Sequence, residues 1–127
     1  RVARLEAFNL AAIEASNQAL FLSDELGKTF YISPQLREWM GATGEMRDDS
    51  WRDCVHEDDA DEVYRAWDRF VNRQVSSFRK RYRYRQPKTG AIVPIDCIAV
   101  RKNDPAGVYL AIVGVVTKVV PPAGEKA

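Results

Sequence analysis

Histidine occurs once in this chain, at position 56, and cysteine twice, at positions 54 and 97. That scarcity excludes most metal chemistry. A structural zinc site needs four thiolate or imidazole ligands at close spacing, whereas Cys54 and His56 stand together in a loop with the second cysteine far along the chain. Two cysteines allow at most one bridge and no disulfide framework, so the reading is of reduced thiols in a cytoplasmic protein. Neither sign of charge dominates. Nineteen basic residues against eighteen acidic ones leave a formal net charge of +1, which gives no general electrostatic case for nucleic acid. No apolar run approaches membrane-spanning length, and no basic-then-apolar signal segment opens the chain, so no membrane contact is expected of it. The G-x-S-x-G string of a nucleophile elbow is missing. One histidine in a carboxylate-rich loop also lacks the nucleophile and orienting group that covalent catalysis requires. No catalytic residue and no enzyme activity are therefore assigned to this chain.

What is present is the composition of an ordinary globular domain. Hydrophobic residues make up 46% and charged residues 29% of 127 positions, enough for one domain with a core of its own. The opening Arg1 in place of methionine reads as an excised fragment of a longer protein or as a processed chain. Val2, Leu5, Phe8 and Ala12 recur at helical spacing and predict a helix over 1–16, flanking a domain over 17–120, with a linker-like tail at 121–127. The apolar run Ala19–Leu22, the turn Asp24-Glu25-Leu26-Gly27 and the β-formers Thr29–Ile32 read as a hairpin, with Gly27 supplying a positive φ. Ser33 followed by Pro34 starts a short helix that Gly41 or Gly44 ends. Residues 42–57 are polar and irregular, with one helical turn near Ser50–Val55.

The strongest helix signal is "DDADEVYRAWDRFVNR". Val63, Tyr64, Trp67, Phe70 and Val71 recur at offsets of three and four, with Asp58 or Asp59 as its cap. Three strands follow. In "SSFRKRYRYRQ", Phe78, Lys80, Tyr82 and Tyr84 share one face, and Arg79, Arg81, Arg83 and Arg85 the other. That arginine row reads as a solvated or salt-bridged face, with protein contact and nucleic acid as the narrower alternatives. After a turn ending at Gly90, "AIVPIDCIAV" is a strand interrupted by Pro94, which predicts an edge position or a bulge. "VYLAIVGVVTKVV" is apolar on both parities and predicts a central strand covered on both faces. The order makes an α+β domain on a five-stranded antiparallel sheet.

Several of these strings resemble a PAS domain, of the variety with a tryptophan and a valine-histidine-proline-acidic-acidic string before its long helix. "FLSDELGKTFYISPQLREWMG" resembles the opening hairpin and first short helix, and "WRDCVHEDDADEV" the loop entering the long helix. "FRKRYRYRQPKTG" and "YLAIVGVV" resemble two of the later strands, the second with its embedded Gly114. The resemblance spans roughly residues 8–118. It departs at Glu57, where the family has proline, and at Pro94, where it has tryptophan. At Lys118-Val119-Val120 the family has an aspartate-isoleucine-threonine string that relays signals onward.

The resemblance implies a PAS-like five-stranded antiparallel sheet with helices on one face and an N-terminal helix. It implies a sensory or signal-relay domain of a larger bacterial-type regulator, with a kinase, cyclase or other output domain covalently attached. The family's cavity lies between sheet and helices, which makes Tyr64, Trp67, Phe78 and Cys97 the candidate pocket residues. A ligand-free packed core would use the same residue types, so an unknown small organic ligand and an empty core both stay open. Haem and flavin are not expected: the long helix carries no histidine, and Cys54 lacks the partner residues of the flavin photosensors. Leu5, Phe8 and Ala12 form the candidate interface of a homodimer, which would be isologous. Trp51, His56, Asp58, Gly27 and Gly90 are read as structural. The alternative function is a protein–protein or homodimerisation module with a packed core and no ligand.

Overall fold

The computed structural model of the chain describes residues 18–42, 50–103 and 110–119. The flanking helix expected over 1–16, Gly44 and the tail at 121–127 lie outside the described residues. Five strands are present: β1 (Leu20–Asp24), β2 (Thr29–Ile32), β3 (Ser77–Arg85), β4 (Ile92–Asn103) and β5 (Leu110–Lys118). Two helices accompany them, α1 (Pro34–Met40) and α2 (Glu57–Val71), together with a 3-10 turn at Ser50–Cys54. All pairs are antiparallel, in the order β2-β1-β5-β4-β3. The local hairpin β1–β2 is thus joined to the β3–β4–β5 meander by a long-range pairing of the first strand with the last. Among the described residues no helix is long and apolar enough to cross a membrane.

Each local start and stop has a chemical cause. The hairpin turn is held by Asp24, whose Oδ1 accepts the N–H groups of Leu26 and Lys28 at 2.9 Å each. Gly27 there adopts φ +84°, and a Cβ would meet Val71 Cγ2 at 2.7 Å. Gly90 in the β3–β4 turn also has positive φ, 74°. Ser33 accepts the Leu36 N–H at the start of α1, and Gly41 rather than Gly44 closes it in the left-handed region. At the end of α2, Arg73 takes φ 64°. The bonds Gln74 N–H to Arg69 O and Arg73 N–H to Phe70 O complete a Schellman motif around it.

The sheet's inner face and the helices share one core. Phe78, Tyr82 and Tyr84 from β3, Ile95, Cys97 and Ala99 from β4, and Ile112 and Val116 from β5 pack on Leu36, Met40, Val63, Trp67 and Phe70. The alternation read from β3 is the observed one: Phe78, Tyr82 and Tyr84 are buried, while Arg79 and Arg81 are exposed.

Three expectations need correction. First, β4 is neither an edge strand nor bulged, since it lies between β5 and β3 with an uninterrupted register on both sides. Pro94 is tolerated because it stands opposite Val119, just beyond the last β4–β5 pair. Its carbonyl accepts the Val119 N–H at 3.0 Å, and the return bond that proline cannot donate falls where β5 ends. Second, β5 is central but unevenly covered: Ile112 and Val116 are buried on the inner face, while Val115 on the outer face remains 39% exposed. Third, α2 begins two or three residues earlier than its aspartates suggest, at Glu57, and its cap is His56 in place of Asp58 or Asp59.

Gly114 pairs with Phe21 across β1 and β5, and a Cβ on it would lie 2.2 Å from that ring. Gly114→Ala is expected to lower the unfolding free energy by about 2 kcal/mol through overpacking. Urea denaturation checks this, and the double variant with Phe21→Leu is expected to lose less than the two single changes summed.

Candidate functional site

Between the sheet and the helices lies a narrow crevice of about 20 Å³, room for roughly one water molecule. Phe21, Thr29 and Ile32 from the hairpin form one wall, and Phe78, Tyr82 and Tyr84 from β3 the opposite one. Leu36 and Met40 from α1, with Trp51 and Trp67, close the remaining sides. No charged side chain lines it; hydroxyls and indole N–H groups are its polar chemistry.

Of the residues singled out by sequence, the crevice takes Trp67 and Phe78 into its lining and leaves Tyr64 and Cys97 outside. Tyr64 lies behind Trp51, with its ring edge-on at 5.9 Å and its hydroxyl donating to the Arg52 carbonyl at 2.7 Å. Arg52 sits 4.6 Å over the Tyr64 ring. Cys97 is buried in the same core cluster as Tyr82 and Tyr84 but does not border the crevice. Trp51, read from sequence as structural, is also a wall of the crevice. Sequence reasoning passed over Tyr82, Tyr84, Met40 and Leu36 as lining. The alternation in β3 placed both tyrosines on the inner face, and that was the signal available for them.

Burial governs the titration of this cluster. The phenols of Tyr82 and Tyr84 are both pushed well above the ordinary tyrosine range by loss of hydration, and the Cys97 thiol is raised to about 12 by the same cause. The Cys54 thiol is raised as well, first by burial and then by the charge of Asp53. All of these groups are neutral at physiological pH. Thiols so held are poor nucleophiles and poor metal ligands, and no group of three His, Cys, Asp or Glu side chains among the described residues is placed to hold a metal ion.

The arginine row of β3 divides. Arg81 is bidentate to Asp96 on the neighbouring strand, at 2.8 and 3.0 Å. Arg83 reaches round the sheet edge to Asp59 of α2, at 2.9 and 2.8 Å, and its backbone N–H donates to the same carboxylate. Arg85 reaches Glu57 at 3.0 and 2.7 Å. The Arg83 guanidinium holds the Asp59 carboxyl below its usual range, and Arg85 does the same for Glu57. Three of the four guanidinium groups are thus engaged in tying α2 and β4 to the edge strand.

His56 is 5% exposed. Its Nδ1 accepts the Asp58 N–H at 3.0 Å, and its backbone N–H donates to the Arg83 carbonyl at 2.9 Å. The preceding Val55 forms an isolated bridge with Tyr84. The loop therefore continues the sheet for one residue past β3 before turning into α2.

The sequence model of the PAS fold matches residues 29–116. The chain belongs to the PAS family. Among curated proteins none matches it. A PAS domain from Colwellia psychrerythraea superimposes with a TM-score of 0.67 at 14% identity, covering 94% of this chain and 98% of that one. A sensory box histidine kinase/response regulator from Burkholderia thailandensis gives 0.60 at 20% identity, over 86% and 82%. The N-terminal domain of a diguanylate cyclase with PAS/PAC sensor from Marinobacter aquaeolei gives 0.60 at 20% identity, over 78% and 92%. At these identities the likeness is one of fold.

Burial of both thiols in this PAS domain sets their reactivity. With a thiol-disulfide reagent at pH 8, neither Cys54 nor Cys97 is expected to react over minutes in the folded state, and both are expected to react in denaturant. Absorbance of the released chromophore checks this.

Proposed function

We propose that this PAS domain is the sensory or signal-relay part of a larger regulator, and that its crevice receives a small uncharged molecule. The observation that carries the reading is the lining itself. Five aromatic side chains other than Phe21 and two aliphatic helix residues enclose a space with hydroxyl groups and no ion, which suits a neutral occupant with one or two hydrogen-bonding atoms. A charged molecule would leave its charge unpaired there.

At about 20 Å³ the crevice takes an occupant of several heavy atoms only by moving side chains apart. The walls come from α1, α2, the first hairpin and β3, so such a molecule separates the helices from the sheet. A ligand shifts a conformational equilibrium only to the extent that it binds the two states unequally, and a site that must open to be filled meets that condition. Similar folds in a histidine kinase/response regulator and in a diguanylate cyclase support an attached output domain.

A second reading is favoured by one further observation. Ile98 and Val115 face each other on the outer sheet surface and remain 41% and 39% exposed, with Val100 beside them at 39%. Such a patch suits a homodimer, with Leu5, Phe8 and Ala12 of the leading segment as the proposed complementary stripe.

Native mass spectrometry of the freshly purified protein, with an absorption spectrum of the same sample, tests the first reading. The expected result is extra mass lost on denaturation, without visible colour. A bare monomer mass that stays bare after incubation with small neutral alcohols and aromatics overturns the ligand reading, and a bare dimer favours the second.

A further inference from the structure

We propose that α1 is the lid of the crevice, and that Gln86, just past the end of β3, is the latch that holds it shut. The inference rests on the ligand reading above for its purpose, since it names the wall that yields to an occupant. Its geometry involves no ligand.

The other walls are fixed from more than one side. β1 is paired along its whole length with β5, and β3 with β4. α2 buries Val63, Trp67 and Phe70, and the pairs Arg83–Asp59 and Arg85–Glu57 tie it to β3. By contrast α1 is two turns long and buries only Leu36 and Met40, the two residues it presents to the crevice. Its far side is not packed. There Pro34, Glu38 and Gly41, together with Gln86, Lys88 and Thr89, border an open groove of about 410 Å³. A short helix with space behind it is displaced without overlapping packed atoms, which a close-packed interior forbids elsewhere.

The two ends of α1 are held differently. At its start Ser33 is fastened to β1: its N–H donates to the Leu20 carbonyl and its hydroxyl oxygen accepts the Leu20 N–H, both at 2.9 Å. That end is the hinge. At the other end the last carbonyls of a helix lack α-helical partners, and the Gln86 carboxamide serves two of them. Its Nε2 donates to the Glu38 carbonyl at 3.2 Å and to the Trp39 carbonyl at 3.1 Å. The amide is oriented for this, because its Oε1 accepts the Thr89 hydroxyl at 2.9 Å. The Gln86 backbone is pinned to Ala91 and Gly90. Gly41 permits the close approach, since a Cβ there would lie 2.7 Å from the Gln86 Cβ. Trp39 also carries Lys118 Nζ, 5.3 Å from its ring centre. Movement of the lid therefore reaches the last residue of β5.

Met40 is a built-in reporter, because its thioether is buried in the crevice wall and is oxidised to the sulfoxide only when reagent reaches it. The test is the rate of Met40 oxidation by hydrogen peroxide, read by peptide mass spectrometry, beside the rate of Cys97 alkylation by iodoacetamide. In Gln86→Leu, which keeps apolar contact with Gly41 and removes the donors, Met40 oxidation is expected to rise about tenfold, the effect of two hydrogen bonds lost. Cys97, buried outside the crevice, is expected to keep its rate. Gln86→Glu, whose carboxylate cannot donate to a carbonyl, is expected to behave alike and serves if the first variant does not fold. An unchanged Met40 rate in a folded variant overturns the lid. Equal acceleration of Met40 and Cys97 overturns it too and assigns the change to general unfolding. A crevice that takes up no alcohol or aromatic overturns the ligand reading and leaves these rates untouched.

Discussion

Trp67 is the contact on which the rest of this PAS domain depends. Its indole lies edge-on or tilted to four other rings, Phe21 and Trp51 at 5.9 Å, Phe70 at 5.5 Å and Phe78 at 5.3 Å. Those neighbours come from β1, the 3-10 turn, α2 itself and β3. One side chain thus joins the two halves of the sheet to the helix that covers them. Edge-to-face pairs of this kind contribute roughly 0.5–1.5 kcal/mol each beyond the area they bury. The indole also borders the Gly27 turn and lines the crevice, so the packing that holds the fold and the space that could be filled are parts of one structure. Whatever enters the crevice acts on the hub directly.

The polar counterpart runs along the edge of β3. An open sheet edge is a hazard because its unpaired N–H and C=O groups can template another strand. Here the Val55–His56 segment pairs with Tyr84 and Arg83, and Arg83 and Arg85 fasten the acidic first turn of α2 over the same edge. Covering the edge and orienting the helix are therefore a single arrangement. It also explains why the acidic run Glu57–Asp59 is where it is: those carboxylates complement the helix dipole, and two of them meet arginines whose strand alternation points them away from the core.

Much of this was legible in the residues, for reasons that differ by element. The 3.6-residue recurrence of Val63, Trp67 and Phe70 survives in the structure because α2 buries one stripe against one partner surface. The period of two in β3 survives because one of its faces is core and the other is not. Pro94 misled because a proline's cost depends on which neighbour its missing N–H would have met, and the end of β5 stands there. The cap was assigned to the aspartates, whereas the His56 Nδ1 accepts the Asp58 N–H at the helix start. Asp59 was unavailable because a guanidinium twenty-four residues away holds it. The lining of the crevice was partly legible: Trp67 and Phe78 follow from helix and strand phase, but α1's contribution depends on how that short helix is laid against the sheet.

By itself the sequence determined the main elements and the faces they bury, because dihedral preferences and hydrophobic periodicity act over a few residues and need no knowledge of neighbours. The PAS resemblance was legible for the same reason, as local strings in the right order. Only the tertiary structure decided the strand order β2-β1-β5-β4-β3 and the place of Pro94 inside the sheet. It alone set the pairing of each arginine, the size of the crevice and the orientation of the His56 ring. These are distances between residues far apart in the chain. They are fixed by the simultaneous packing of every element around Trp67 and by the desolvation of Tyr82, Tyr84 and Cys97 beneath it, which no local pattern encodes.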